Sequence, residues 1–154
     1  MSTSRDETPH VCVPTVDTNS FALRSGLSRA MKKVLIVDDQ ADIRRLVRWS
    51  LEIVDVEVHE ATDGLDALRC CAELKPDLML VDVMMPGDID GLEVCRRVKA
   101  SNEMRGTRVV LLSARGQVTD IEAGVAAGAD AYMVKPFSPQ RLVETAEKLL
   151  SAAA

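Results

Sequence analysis

Short apolar runs alternate with helical patterns along most of the chain. Residues 34–37, 78–81 and 109–112 are wholly apolar, which is typical of strands buried on both faces of a parallel sheet. Residues 56–61 alternate between apolar and polar, and this predicts a strand at or near an edge. Residues 132–134 form a short last run. The pattern therefore predicts five strands.

Apolar residues after each strand recur every three or four positions, as they do along amphipathic helices. The predicted helices cover residues 43–54, 65–72, 92–98, 119–127 and 139–150. Five strand–helix alternations predict βαβ units with right-handed crossovers and a parallel sheet that carries helices on both faces. We therefore expect one α/β domain at residues 32–154.

Residues 1–31 differ from the rest of the chain. They are rich in Ser, Thr and Pro and show no sustained period, which predicts a flexible N-terminal extension. The chain has neither a run of about 18 apolar residues nor the compact apolar region of a secretory signal. We therefore expect a cytoplasmic protein with no membrane span. A net charge of −5 and an aromatic content of 3% disfavour direct binding of nucleic acid.

Polar side chains collect where four of the predicted strands end. Asp38 and Asp39 follow the first strand, Asp82 the third, Ser113 the fourth and Lys135 the fifth. The carboxyl ends of parallel strands share one edge of a sheet, where ligands bind. Three carboxylates there would repel one another unless a hard divalent cation or a lysine balanced them. Metal, carboxylate, lysine and hydroxyl are the components of phosphoryl transfer, and Asp82, within an apolar run, is the candidate nucleophile.

Four segments together resemble the receiver domain of two-component response regulators. They read VLIVDD (34–39), LMLVDVMMP (78–86), LLSA (111–114) and AGADAYMVKPF (127–137). The resemblance covers about residues 32–151. It implies a flavodoxin-like (βα)5 sandwich with strand order 2-1-3-4-5. Because no output domain follows in this sequence, we expect a stand-alone receiver similar to chemotaxis regulators. The alternative is a receiver cut from a longer regulator or a hybrid kinase.

The resemblance also assigns a metal site and a phosphoacceptor. Asp82 would be the phosphoacceptor in a Mg²⁺-dependent reaction. The metal would be bound by Asp38, Asp39, Asp82 and the backbone carbonyl of Met84, with Asp39 as a direct ligand and Asp38 acting through water. Met84 offers no side-chain hydrogen bond to an attacking water.

Further residues of the resemblance carry the phosphoryl group and the switch. Lys135, Ser113 and Ala114 would bind the phosphoryl oxygens, and a cis Lys135–Pro136 bond would aim the lysine. Ser113 and Tyr132 would form the switch, the hydroxyl moving toward the phosphoryl group while the ring turns inward. Arg115 occupies a position that tends to tune phosphoryl lifetime. These movements would change the face made by the fourth helix, the fifth strand and the fifth helix.

The implied function is that of a signalling protein rather than an enzyme with a separate substrate. Its partners would be a sensor histidine kinase, a histidine phosphotransfer protein, or both, and a downstream protein bound at the switch face. Two alternatives stay open, a phosphorelay intermediate and a scaffold that acts without phosphorylation. The protein is expected to be a monomer or a phosphorylation-dependent dimer.

Two other classes fit the sequence less well. A Mg²⁺-dependent phosphatase with an aspartyl nucleophile usually has a second Asp two positions on, where this chain has Met84. A flavin-binding flavodoxin would need a phosphate-cradling loop after the first strand, where this chain has Asp38 and Asp39. One departure from the receiver pattern is also visible. The segment from Asp82 to Gly91 is one residue longer than usual, which predicts an altered loop.

Overall fold

The computed structural model describes residues 31–152, so the predicted extension at residues 1–31 lies outside the described residues apart from Met31. The strands are β1 (Lys32–Val37), β2 (Val56–Ala61), β3 (Leu78–Asp82), β4 (Arg108–Ser113) and β5 (Ala131–Val134). The helices are α1 (Ala41–Ser50), α2 (Gly64–Leu74), α3 (Gly91–Ala100), α4 (Val118–Ala126) and α5 (Pro139–Ala152).

The five strands form one parallel sheet in the order β2-β1-β3-β4-β5. This confirms the predicted flavodoxin-like (βα)5 topology, and β2 lies at an edge as the alternating pattern indicated. Val37 at the end of β1 pairs with Ala61 on one side and Val81 on the other. The carboxyl ends of these three strands are therefore level, and the residues that follow them meet at one edge.

Alternate residues of the central strands supply two separate core layers. Leu35 and Val37 pack with α2 and α3 on one face, whereas Val34 and Ile36 pack with α1 and α5 on the other. All four side chains are fully buried. Each such side chain contributes about 1.5–3 kcal/mol through burial. Both core layers pack against β1 and β3, so the carboxyl ends of these strands have fixed positions.

The first helix is shorter than the pattern predicted. It ends at Ser50, and one 3₁₀ turn (Leu51–Ile53) follows. The N–H of Val54 donates to the carbonyl of Leu51 at 2.9 Å, and Val54 itself is extended. The prediction of a helix to residue 54 was therefore wrong, because the last apolar residue of the pattern already leads into β2.

Side-chain caps fix the starts of three helices. Asp63 accepts from the N–H of Asp66 at 2.8 Å, and Asp90 accepts from the N–H of Glu93 at 2.9 Å. Ser138 accepts from the N–H of Arg141 at 3.1 Å, as the Ser138–Pro139 pair predicted. Such caps satisfy backbone donors that the first helical turn leaves without partners.

A shallow groove lies at the end of the sheet opposite the polar strand ends. Lys32 and Val56 line it from the starts of β1 and β2, and Leu150 and Ser151 line it from the last turns of α5. The two ends of the folded unit therefore lie beside each other. Within residues 31–152, no helix is long and apolar enough to cross a membrane.

Candidate phosphoryl-transfer site

Three carboxylates converge at the carboxyl edge of the sheet. Each of Asp38, Asp39 and Asp82 places an oxygen within 4.8 Å of the others. Asp38 and Asp82 are buried, whereas Asp39 is exposed. Hard carboxylate oxygens at this spacing fit a divalent cation such as Mg²⁺, which takes one or two carboxylates and keeps several waters. The structure thus brings together the three acidic residues that the sequence singled out.

Lys135 reaches the same cluster from the end of β5. Its Nζ lies 3.0 Å from Asp82 Oδ1 and 3.3 Å from Asp38 Oδ2. The Lys135–Pro136 bond is cis, as predicted. One ammonium group therefore contacts the two buried carboxylates at once. Pairing and hydrogen bonding are what allow buried charges to persist.

The titration of Asp82 and Lys135 reflects this crowding. Burial raises the pKa of the Asp82 carboxyl, and the charges of Asp38 and Asp39 add to the rise while Lys135 opposes it. Burial acts to lower the pKa of Lys135, but the hydrogen bond to Asp82 and the charge of Asp38 outweigh it and raise that pKa. Lys135 therefore stays protonated at neutral pH, whereas the ionised form of Asp82 carries a cost. Additional positive charge at the cluster would remove that cost.

The predicted switch residues Ser113 and Tyr132 share a hydrogen-bonding partner. Ser113 is buried, and its Oγ accepts from the N–H of Arg115 at 3.0 Å. The hydroxyl of Tyr132 donates to the carbonyl of Arg115 at 2.9 Å. The two side chains are thus linked through one residue of the β4–α4 loop. Ala114, within that loop, is exposed.

The ring of Tyr132 rests against α4 at a glycine. A Cβ on Gly124 would lie 2.7 Å from Cδ2 of the Tyr132 ring, which is too close for any real contact. Only glycine at this position lets the ring lie against the helix as it does here. Gly124 therefore helps to set the ring position.

The loop after Asp82 folds back tightly on its own strand. The N–H of Gly91 donates to the carbonyl of Val83 at 3.0 Å, and a Cβ on Gly91 would lie 2.3 Å from the carbonyl oxygen of Asp82. Ile89 is buried within the loop, whereas the side chain of Met84 is exposed. Gly87 in this loop has a φ of 110°, a conformation that favours glycine. The role of the Met84 carbonyl as a metal ligand stays a prediction.

Two residues that sequence reasoning missed also reach this edge. Arg44 on α1 donates from Nη1 to the carbonyl of Asp38 at 2.9 Å. Its Nε lies 2.7 Å from Oε1 of Glu60, near the end of β2. No spacing in the sequence distinguishes Arg44 from its neighbours Arg45 and Arg48. Arg44 can be recognised only once the register of β1 and β2 is known, because that register brings its partner Glu60 to the acidic edge.

The chain is similar in sequence to known proteins. The family model for the response regulator receiver domain matches residues 34–147. The chain belongs to this family. The receiver domain is also 43% identical over 121 residues to the transcriptional regulatory protein ResD of Bacillus subtilis, a match that covers 79% of this chain and 49% of ResD. It thus spans about half the length of the curated relatives it matches.

Solved structures of receivers have the same fold. The chemotaxis protein CheY4 of Vibrio cholerae is 33% identical with a TM-score of 0.72, and the match covers 78% of this chain and 99% of CheY4. A CheY-like receiver domain protein from Methanospirillum hungatei is 27% identical with a TM-score of 0.74, covering 80% of this chain and 97% of its own. Residues 31–152 are therefore a receiver domain in sequence and in architecture.

Proposed function

We propose that Asp82 accepts a phosphoryl group from the phosphohistidine of a sensor histidine kinase or a histidine phosphotransfer protein. A carboxylate oxygen of Asp82 forms a bond to phosphorus while the bond from phosphorus to the histidine nitrogen breaks. The imidazole leaves with the electron pair of that bond. The product is an aspartyl phosphate on this chain, so the receiver acts as a phosphoacceptor in signalling rather than as an enzyme with a separate substrate.

The single observation that carries the proposal is the contact of Lys135 with Asp82 and Asp38 beside the three-carboxylate cluster. An ammonium group 3.0 Å from the nucleophilic carboxylate can follow the negative charge as it spreads onto the phosphoryl oxygens. Asp82 is held at the end of a fully buried strand. The nucleophile therefore has a fixed position, which favours in-line attack.

Asp38, Asp39, Asp82 and the carbonyl of Met84 would hold Mg²⁺ in this proposal. The bound cation supplies the positive charge that offsets both the repulsion among the carboxylates and the charge of the incoming phosphoryl group. Lys135 then has one role before transfer, pairing with Asp82, and another after it, pairing with a phosphoryl oxygen. Ser113 and the backbone at Ala114 would bind the remaining oxygens.

The output of the reaction would be a change at the face formed by α4, β5 and α5. Ser113 Oγ accepts from the N–H of Arg115, so a movement of this hydroxyl toward a phosphoryl oxygen would pull on the β4–α4 loop. Tyr132 is bonded to the carbonyl of the same residue, so a movement of this loop reaches the ring. Exposed Val118, Val125 and Val134 lie on these elements. A downstream protein, or a second phosphorylated copy, would bind there.

The decisive test is intact-mass spectrometry after incubation with acetyl phosphate. Wild-type protein should gain one phosphoryl mass in the presence of Mg²⁺, and chelation of the metal should abolish the gain. Asp82→Asn should show no gain, whereas Asp88→Asn, an exposed carboxylate of the neighbouring loop, should behave as wild type. Incubation with phosphorylated kinases would then identify the donor.

The outcomes separate the proposal from its main alternative. Phosphorylation of Asp82→Asn to the same extent as wild type would place the acceptor elsewhere. A wild type that gains no mass from acetyl phosphate or from any phosphorylated kinase would favour a scaffold that acts without phosphorylation.

A further inference from the structure

The side chain of Arg44 ties three elements of the receiver together at the acidic edge. From α1 it contacts Glu60 near the end of β2 at 2.7 Å and the carbonyl of Asp38 after β1 at 2.9 Å. The side chains of Arg44 and Glu60 are only 17% and 14% exposed. Both contacts are thus largely shielded from water, where charge-assisted hydrogen bonds are strongest.

Glu60 lies close to two guanidinium groups. Oε1 faces Nε of Arg44, and Oε2 lies 3.2 Å from Nε of Arg48, one turn further along α1. Two contacts orient the Arg44 guanidinium, one from Nε to Glu60 and one from Nη1 to the carbonyl of Asp38. A lysine has one nitrogen in place of the Nε and Nη1 that make these two contacts, so it does not reproduce this arrangement.

Asp38 is constrained at every polar group. Its N–H donates to the carbonyl of Ala61 at 3.2 Å. Its carboxylate accepts from the N–H of Gln40 at 2.8 Å and from Lys135 at 3.3 Å. The carbonyl that Arg44 binds is the remaining group, and it belongs to the peptide that joins Asp38 to Asp39. The orientation of that peptide therefore influences the positions of both carboxylates.

We propose that Arg44, clamped by Glu60, is a positioning residue that sets the affinity of the acidic cluster for Mg²⁺. It acts through the peptide between Asp38 and Asp39. The inference rests on the proposed function, because it takes the cluster to be the metal site. Residues that orient metal ligands in this way typically change affinity 10–100-fold when mutated.

Charge and position make opposite predictions for Arg44. The guanidinium is a positive group near a cation site, so a purely electrostatic role predicts that Arg44→Ala tightens Mg²⁺ binding and that Arg44→Lys leaves it unchanged. A positioning role predicts weaker binding in both variants. Arg44→Lys is the more informative of the two variants, because it keeps the positive charge and removes the planar guanidinium.

Isothermal titration of the unphosphorylated protein with Mg²⁺ measures the affinity directly, without any transfer reaction. We expect Arg44→Lys and Glu60→Ala to raise the Kd roughly 10-fold. The double variant should be no worse than the single variants, because both changes release the same contact. Arg45→Lys is the matched control, since Arg45 is exposed and pairs with Asp42 on the surface of the same helix.

Two further measurements complete the test. The amide signal of Gln40, which donates to Asp38, should shift in Arg44→Lys but not in Arg45→Lys. Thermal unfolding should confirm that the titrated variants are folded, and Glu60→Gln provides a milder change if Glu60→Ala is not. The Gln variant keeps one acceptor for Arg44 and should recover part of the affinity.

Failure of the inference is distinguishable from failure of the proposed function. Unchanged or tighter binding in Arg44→Lys, with normal wild-type binding that Asp39→Asn abolishes, would overturn the positioning role alone. A wild type that binds no Mg²⁺ would overturn the metal-dependent function and the inference with it.

Discussion

At the scale of single residues, Asp82 combines a fixed position with an unfavourable charge. Burial and two neighbouring carboxylates raise its pKa, and Lys135 offsets only part of the effect. The folded protein therefore binds a proton at Asp82 more tightly than the unfolded chain does, with its ordinary pKa of 3.8. The resulting stabilisation is complete below pH 3.8 and is lost as the pH rises through the raised pKa.

It follows that Asp82→Asn should stabilise the receiver at neutral pH in the absence of Mg²⁺. We expect Tm to rise by roughly 2–6 °C, the shift that about 1 kcal/mol produces in a domain of this size. The difference should shrink as the pH falls, because protonation makes the wild-type side chain neutral as well. Calorimetry measures Tm between pH 4 and pH 8, in steps of about one pH unit, and checks this dependence.

The control for this prediction is Asp42→Asn, which removes an exposed carboxylate at the start of α1. It should leave the pH dependence of Tm close to that of wild type. A lower Tm for Asp82→Asn at neutral pH would mean that the pairing of Asp82 with Lys135 outweighs the cost of burial, contrary to the raised pKa.

Gly124 supports a second prediction at this scale. In Gly124→Ala the new methyl group would lie 2.7 Å from the Tyr132 ring, so the ring must shift and its hydrogen bond to Arg115 is disturbed. The free energy of unfolding should fall by about 1–3 kcal/mol, the usual cost of overpacking. Near-ultraviolet circular dichroism should show the change in the environment of the tyrosine.

A double-mutant cycle with Tyr132→Ala tests the cause of that loss. Once the ring is absent, Gly124→Ala should cost little, and the two changes should be strongly non-additive. Gly106→Ala is the matched control, because a Cβ there meets no atom within 4 Å. Equal costs in the presence and absence of the ring would show that the glycine serves the helix rather than the tyrosine.

At the scale of elements, the sequence predicted most of the fold because the physical signals were local. Apolar runs such as residues 78–81 and caps such as Ser138 can be recognised without knowledge of the rest of the chain. The convergence of Asp38, Asp82 and Lys135 was also predictable, since carboxyl ends of parallel strands share an edge.

The features that the sequence did not reveal depend on how separate segments of the chain pack together. Helix α1 ends before residue 54 because Val54 is needed in the turn into β2. The contact of Arg44 with Glu60 depends on the strand register, in which Glu60 stands level with Ile36 of β1. Neither relation leaves a pattern within one segment, so periodicity alone cannot show it.

The cap of α5 gives a prediction at the element scale. Ser138→Ala removes the acceptor for the N–H of Arg141 and should lower the free energy of unfolding by about 1 kcal/mol. Chemical denaturation should show a lower midpoint with an unchanged slope. Ser151→Ala, an exposed serine in the last turns of the same helix, should be nearly neutral, and an equal loss there would rule out the cap as the cause.

At the scale of the whole molecule, the β4–α4 loop connects Ser113 at the site to α4 in the proposed output face. Hydrogen exchange should therefore respond to phosphorylation in a restricted region. With acetyl phosphate and Mg²⁺, protection should change in α4 and β5, whereas the core strands β1 and β3 should be unaffected. The same treatment of Asp82→Asn should produce no change. A response spread evenly over the sheet would contradict a switch confined to that face.

The groove between Lys32 and Ser151 raises the question of whether the site depends on the order in which the strands occur along the chain. The two ends of the folded unit meet there, so a short linker between them closes a small loop at little entropic cost. The exposed turn at Gly106 is a natural place to open a circularly permuted chain. Such a chain would begin with β4 and finish with α3, yet every strand would still present its carboxyl end at the same edge. The acidic cluster depends on the topology of the sheet, not on which strand is synthesised first.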